Sequence, residues 1–180
     1  MLTILALADN EDNFFWGTLS RFLKPHFAMV DIPGQTIGSG RKKAPLILCG
    51  AESFRQIDCD ELIVVYKKAV QPGTVLCAAA NITAVVDSSA DGLLEHVART
   101  KLPAITCGLL TRDTVSLSSI GDSGAVLDIR REIICSGGAV VEAQEIPIAL
   151  RAPADDFALM AAAAIIILSG KKDALLKGKM

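Results

Sequence analysis

The chain has 180 residues and a mass of 19.0 kDa, enough for one domain with a sizeable core. Its net charge of -2 lacks the basic excess of a general nucleic-acid binder, so no nucleic-acid partner is expected. Hydrophobic residues make up 51% and aromatics only 4%, so the core has to be assembled from Ala, Val, Ile and Leu.

Thr3 to Ala8 is a continuous apolar run of strand length, ending in the polar cluster Asp9-Asn10-Glu11-Asp12-Asn13. Phe14, Phe15, Leu19, Phe22 and Leu23 then recur at helical spacing, and Pro25 stops the helix. Further strands are predicted over 28–32, 45–49, 61–66 and 74–79, the last two joined by a Pro72-Gly73 turn. A short strand Ala84-Val85-Val86-Asp87 follows, then a helical stretch from Gly92 to Thr100 and a strand from Ala104 to Gly108. Uninterrupted apolar strands of this kind are what a sheet covered on both faces requires.

After Leu109 the character changes. Thr114–Ser118, Val126–Arg130 and Ile146–Leu150 alternate polar and apolar residues, with turns at Gly121 to Gly124 and at Gly137-Gly138, which predicts an antiparallel meander. The Ala-rich helix Asp156 to Leu168 comes next. Its apolar stretch from Phe157 is only 12 residues long, too short to span a bilayer, where about 20 are needed. The three isoleucines Ile165 to Ile167 predict burial on more than one side, as at a subunit interface, while Leu175, Leu176 and the basic tail are expected to be frayed or solvent-facing. The fold expected is a single α/β domain over 1–180: a mostly parallel sheet flanked by helices, with an antiparallel extension in the C-terminal half. Its parts are an N-terminal β-α-β half over 1–84, a second half over 85–170 and a tail over 171–180.

Five cysteines are dispersed without a C-x-x-C pair, and there are only two histidines. That excludes zinc-site spacing and a complete disulfide framework, and it predicts reduced thiols in a cytoplasmic setting. The N-terminus has no basic n-region and meets Asp9 too early for a signal peptide. No membrane partner is expected.

Several residues invite a chemical reading. Gly34, Gly38 and Gly40 followed by Arg41-Lys42 resemble a phosphate loop in composition, but the spacing fails and a strand follows, which predicts a surface loop. Asp9, Glu11 and Asp12 stand where the first strand ends, at the carboxyl edge where open α/β sheets receive ligands. Paired carboxylates there can hold a divalent ion, or they can serve only the start of the following helix. Asp87 and Asp91 occupy the same place after a later strand. His96, on an exposed helix face, and Cys107, with no histidine near it in sequence, read as inert. The start also resembles a response-regulator receiver domain, but the third strand ends Leu48-Cys49-Gly50 without a phosphorylatable Asp.

From Gly73 onward the order of residues resembles the later part of the central domain of the Mur ligases, the ATP-dependent ligases of peptidoglycan precursors. The resemblance is carried by Val85 to Asp91, Leu102 to Leu109, Asp113 to Ile120 and Glu145 to Leu150, leading into the helix Asp156 to Leu168 closed by Ser169-Gly170. It implies the family's α/β fold. The family's Gly-Lys-Thr phosphate loop is absent, and where its helix opens His-Asn with a further Asn one turn on, this chain reads Asp155-Asp156-Phe157-Ala158-Leu159. Neither Lys67 nor Lys68 has the setting of the family's modified, metal-bridging lysine. The chain closes ten residues after Gly170, which predicts no separate third domain. The resemblance therefore implies a degenerate member without ligase activity and without a cofactor, since the groups that stabilise phosphoryl-transfer charge are missing.

Three functions follow from this reading. One is a non-catalytic protein binding a small molecule or a protein partner, with Asp9, Asp12, Asp87 and Asp91 as ligand-binding candidates. The second is an enzyme using acids at the carboxyl edge of the sheet, Asp9, Asp12 and Asp87, with a divalent metal. The third is a structural subunit that forms a homo-oligomer through the last helix.

Overall fold

A computed structural model describes residues 2–9, 11–32, 45–50, 59–68 and 79–176. The Gly34–Lys42 loop, the Pro72-Gly73 turn, Cys77 and most of the strand expected over 74–79 lie outside those residues. The chain forms two compact units, one made of Met1–Asn13 with Phe27–Ala104 and the other of Phe14–His26 with Ile105–Met180.

Among the described residues the first unit contains β1 (Leu2–Leu7), β2 (Ala28–Ile32), β3 (Pro45–Gly50), β4 (Cys59–Tyr66) and β5 (Ala79–Asp87). All pair in parallel, in the order β2-β3-β1-β4-β5. A parallel sheet is normally covered on both faces, and β1 shows the consequence: Ile4 through Ala8 are at most 1% exposed. On one face Leu5, Leu7, Leu62, Val64, Tyr66, Ala84 and Val86 pack with Leu93 and Val97 of α2 (Leu93–Thr100). Period two on the strands meets a four-residue spacing on the helix, as the two geometries require. The strand expected at Ala84 starts earlier. Asn81, Ile82 and Thr83 pair with Glu61, Leu62 and Ile63, so β5 is one strand from Ala79, its exposed Asn81 carried by ladder hydrogen bonds.

The second unit takes in most of α1 (Asn13–Leu23) and the strands β6 (Ala104–Cys107), β7 (Val115–Gly121), β8 (Gly124–Ile129), β9 (Ile133–Ile134), β10 (Val140–Val141) and β11 (Gln144–Ala149). β7 pairs with β8, and β8 with β11, antiparallel, as the alternating pattern predicts. β6 joins β7 in parallel at Cys107 and Val115, so the antiparallel run begins only at β7. β9 and β10 form a separate two-stranded ladder. At the β7–β8 turn a side chain on Gly124 would sit 3.2 Å from the Ile148 carbonyl oxygen, so glycine permits that approach. The fold is thus α/β, a mostly parallel sheet with helices and an antiparallel extension. None of the described helices is long and apolar enough to cross a membrane.

Helix α3 (Asp156–Leu168) begins where its sequence signal lies. Asp155 is the N-cap, its carboxylate accepting from the Ala158 N–H at 2.8 Å. The Asp155 N–H donates in turn to Thr18 Oγ1 of α1, the Arg21 guanidinium donates to the Pro153 carbonyl, and the Phe15 and Phe157 rings stack at 6.0 Å. Gly170, at φ 73, turns the chain so that its N–H reaches Ile167 O and that of Lys171 reaches Ile166 O.

Every side chain from Phe157 to Leu168 is buried, none more than 6% exposed. Ile165, Ile166 and Ile167 are each completely buried. The expected tail is different. α4 (Lys172–Leu176) follows at once, and Leu175 is completely buried rather than frayed. Leu175→Ala should therefore cost about 2–5 kcal/mol, the range for truncating a buried leucine. Urea denaturation of the two proteins measures it, and a solvent-facing tail would give a change within about 0.5 kcal/mol.

Candidate functional site

Because the parallel strands are dry, their polar chemistry collects at the ends. The register aligns Leu7 of β1 with Tyr66 of β4, and Tyr66 with Val86 of β5. One step further along the chain lie the carboxyl ends, with Asp9 and Asp12 after β1, Lys67 and Lys68 after β4, and Asp87 closing β5. All four predicted site residues therefore belong to one edge of the first unit. Asp9 and Asp91 are exposed there, while Asp12 and Asp87 are half-buried.

The geometry pairs acids with bases. Lys67 Nζ stands 2.8 Å from Asp12 Oδ2, with both side chains less than a third exposed, and Lys68 Nζ pairs with Asp9 Oδ1. The backbone sets this up: the N–H groups of Lys67 and Lys68 both donate to the Leu7 carbonyl, at 3.0 and 3.3 Å, which brings the two lysines to the end of β1. Partial burial makes the Lys67–Asp12 pair less screened than a fully solvated one. The turn between β1 and α1 is also closed on itself, since the Asp12 N–H donates to the Asp9 carbonyl at 3.0 Å and that of Asn13 to the Glu11 carbonyl at 2.8 Å.

Asp87 has local employment. Its Oδ1 accepts from the Ser89 N–H at 2.9 Å and from Ser89 Oγ at 2.6 Å, a side-chain-to-backbone turn that leads into α2. Ser88 beside it is buried, and its hydroxyl meets no partner among the described residues. Among those residues no three of His, Cys, Asp and Glu gather as a metal site would need. His96 is half-buried rather than on an exposed face, its ring 6.2 Å from that of Tyr66. Cys107 and Cys135 are buried, as packed thiols should be.

The pairing of the two lysines with Asp12 and Asp9 is what sequence reasoning missed. Lys67 and Lys68 follow an obvious strand, but their partners lie some 60 positions away, and only the parallel pairing of β1 with β4 joins them. A second group also went unremarked, in the other unit. There buried Asp113 accepts from the Leu110 N–H at 2.8 Å, while Arg130 donates to the Leu110 carbonyl at 2.6 Å and to Asp128 Oδ2 at 2.7 Å.

No family model and no curated protein matches the chain in sequence. Solved structures do match in fold, and the class they define is Mur-ligase-like. A crystal structure of MurF from Acinetobacter baumannii superimposes with a TM-score of 0.56 at 11% identity. A structure of UDP-N-acetylmuramoylalanyl-D-glutamyl-2,6-diaminopimelate--D-alanyl-D-alanyl ligase from the same organism gives 0.55 at 11% identity. Each comparison covers 98% of this chain and 44% of the ligase chain, so this chain spans less than half the length of those structures. At such identity the likeness establishes the fold.

Tyr66, immediately before the two lysines, offers a direct probe. Burial pushes its phenol above the ordinary value of 10.0, because the phenolate would be poorly solvated there. It is the only tyrosine in the chain. Ultraviolet titration of the folded protein should show phenolate appearing at higher pH than in the unfolded chain. The sign for stability follows: the contribution is intact below the unfolded value near 10 and is lost as pH rises through the folded value, where the unfolded chain ionises first. Tyr66→Phe should remove that part of the alkaline loss, and an ordinary titration midpoint in the native protein would contradict the burial.

Proposed function

We propose that this chain is a non-catalytic Mur-ligase-like protein that binds a small ligand or a protein partner at the carboxyl edge of its first unit. The observation that carries this reading is the closed, acidic β1–α1 turn. In nucleotide-binding α/β folds this turn offers backbone N–H groups to phosphate. Here the N–H groups of Asp12 and Asn13 are taken by carbonyls within the turn, and Asp9, Glu11 and Asp12 stand where a polyanion would have to approach. Lys67 and Lys68, the nearest cations in the register, are held by Asp12 and Asp9. A triphosphate would meet repulsion where it needs neutralisation.

Asp87 and Asp91 line the same edge, and the unpartnered hydroxyl of buried Ser88 gives a ligand a polar group to satisfy. A ligand with hydrogen-bonding and cationic groups fits this edge better than a nucleoside triphosphate does. The alternative, an enzyme holding a divalent metal on Asp9, Asp12 and Asp87, would have to displace both lysines and the Ser89 turn. That cost favours the binding reading.

Thermal unfolding with added Mg²⁺-ATP and, separately, with uridine-diphosphate sugar peptides tests the proposal. A ligand present at a hundred times its dissociation constant adds about 2.7 kcal/mol, roughly 5 to 10 °C for a domain of this size. The expected outcome is no shift with Mg²⁺-ATP and no ATP turnover. ATP hydrolysis or an ATP-dependent shift would overturn the reading, and a shift with the sugar nucleotide, itself a polyanion, would place the ligand site away from this acidic edge.

A further inference from the structure

Among the exposed apolar residues of the second unit, two features stand in opposite charge settings. The first is the turn after β6, where Leu109 is 67% and Leu110 48% exposed. This turn is not loose. Both backbone groups of Leu110 are held by side chains, its N–H by the buried Asp113 carboxylate and its carbonyl by Arg130. The Asp113 N–H donates to the same carbonyl at 3.0 Å. Two leucines are thus displayed on a preorganised backbone, with the exposed cation Arg112 beside them. Preorganised apolar anchors lose little entropy when they dock.

The second feature is the β9–β10 ladder. Ile134 and Val140 are directly opposite in register and are 69% and 44% exposed, whereas Ile133 and Val141, the pair of opposite sense, are buried. The same register, carried one step beyond the ladder, sets Glu132 opposite Glu142, and alternation puts both on the face of Ile134 and Val140. Both glutamates are exposed, and neither carboxylate meets a counter-charge among the described residues. Like charges directly opposite on a ladder repel, so this face favours a cation between them. The hairpin is fixed in place, since the Ser136 N–H and hydroxyl both donate to the Leu168 carbonyl at the end of α3.

We infer that the two features bind each other between copies: the Leu109–Arg112 turn of one chain docks on the Glu132/Ile134/Val140/Glu142 face of a second. Arg112, also without a counter-charge among the described residues, supplies the cation that the glutamate pair lacks. Arg130, which holds the Leu110 carbonyl and donates its backbone N–H to the Thr114 carbonyl, stands two residues before Glu132, so the two features adjoin. A two-fold arrangement can therefore make the contact twice and close into a dimer. This surface is distinct from α3, which is wholly buried. The inference does not depend on what the carboxyl edge of the first unit binds.

Sedimentation velocity across a concentration series tests it, using Arg112→Glu as one variant and the double variant Glu132→Lys with Glu142→Lys as the other. The wild-type chain should shift from monomer to dimer between about 1 and about 100 µM. Each variant should raise the dimer dissociation constant at least about tenfold, because like charges then face each other at both contacts. An equimolar mixture of the two should regain the dimer, since both contacts again pair opposite charges. All three substituted positions are exposed, and circular dichroism melting confirms that each variant folds before mixing. Wild-type protein that stays monomeric throughout, or a mixture of folded variants that stays monomeric, would overturn the inference. So would species growing beyond the dimer, because a closed two-fold contact stops at two.

Discussion

One constraint shapes the first unit, the burial of a parallel strand on both faces. From Ile4 to Ala8 no side chain of β1 or its end reaches solvent appreciably, and the neighbouring stretch Leu62 to Tyr66 is equally dry. Such strands have no room for a polar group along their length, so their carboxylates and ammonium groups are displaced to the ends. Asp9, Asp12, Lys67, Lys68 and Asp87 all stand just at or beyond a strand terminus for this reason. Their convergence is a product of packing before it is a product of function.

On the proposed reading, this edge differs from a nucleotide site in how those charges and the turn amides are used. Lysines that could neutralise phosphate are matched to aspartates, and amides that could cradle phosphate close the turn instead. Under that proposal, a fold of the Mur-ligase type carries an edge suited to a different ligand. The similarity to MurF describes the scaffold, and the local charges describe the site.

Much of the architecture was legible in sequence. The helix from Asp156 to Leu168 was evident because a capping aspartate precedes an apolar run, and both signals are local. β2 was recognisable for the same reason, as was the change to alternating strands after Leu109. Facts resting on distant partners were not legible. Nothing near Lys68 indicates that Asp9, 59 positions away, will be its partner. Leu175 looked like tail because its burial depends on where α4 lies, and α4 is only five residues long. Resemblance to the Mur ligases was visible from Gly73 onward, yet the fold likeness covers 98% of the chain. The earlier strands are generic apolar runs, so their place in that fold is a matter of topology and leaves little trace in residue identity.

The central claim is that the edge carboxylates are already engaged, and a double-mutant cycle on Asp12 and Lys67 tests it most directly. Asp12→Asn, Lys67→Met and the double variant are compared by urea denaturation at low salt. A coupling of roughly 0.5–1 kcal/mol, shrinking as salt is added, is the predicted result for a partly buried pair. Strict additivity, with each substitution acting as though the other residue were absent, would mean that Asp12 is not engaged by Lys67, and the account of a charge-compensated edge would fall.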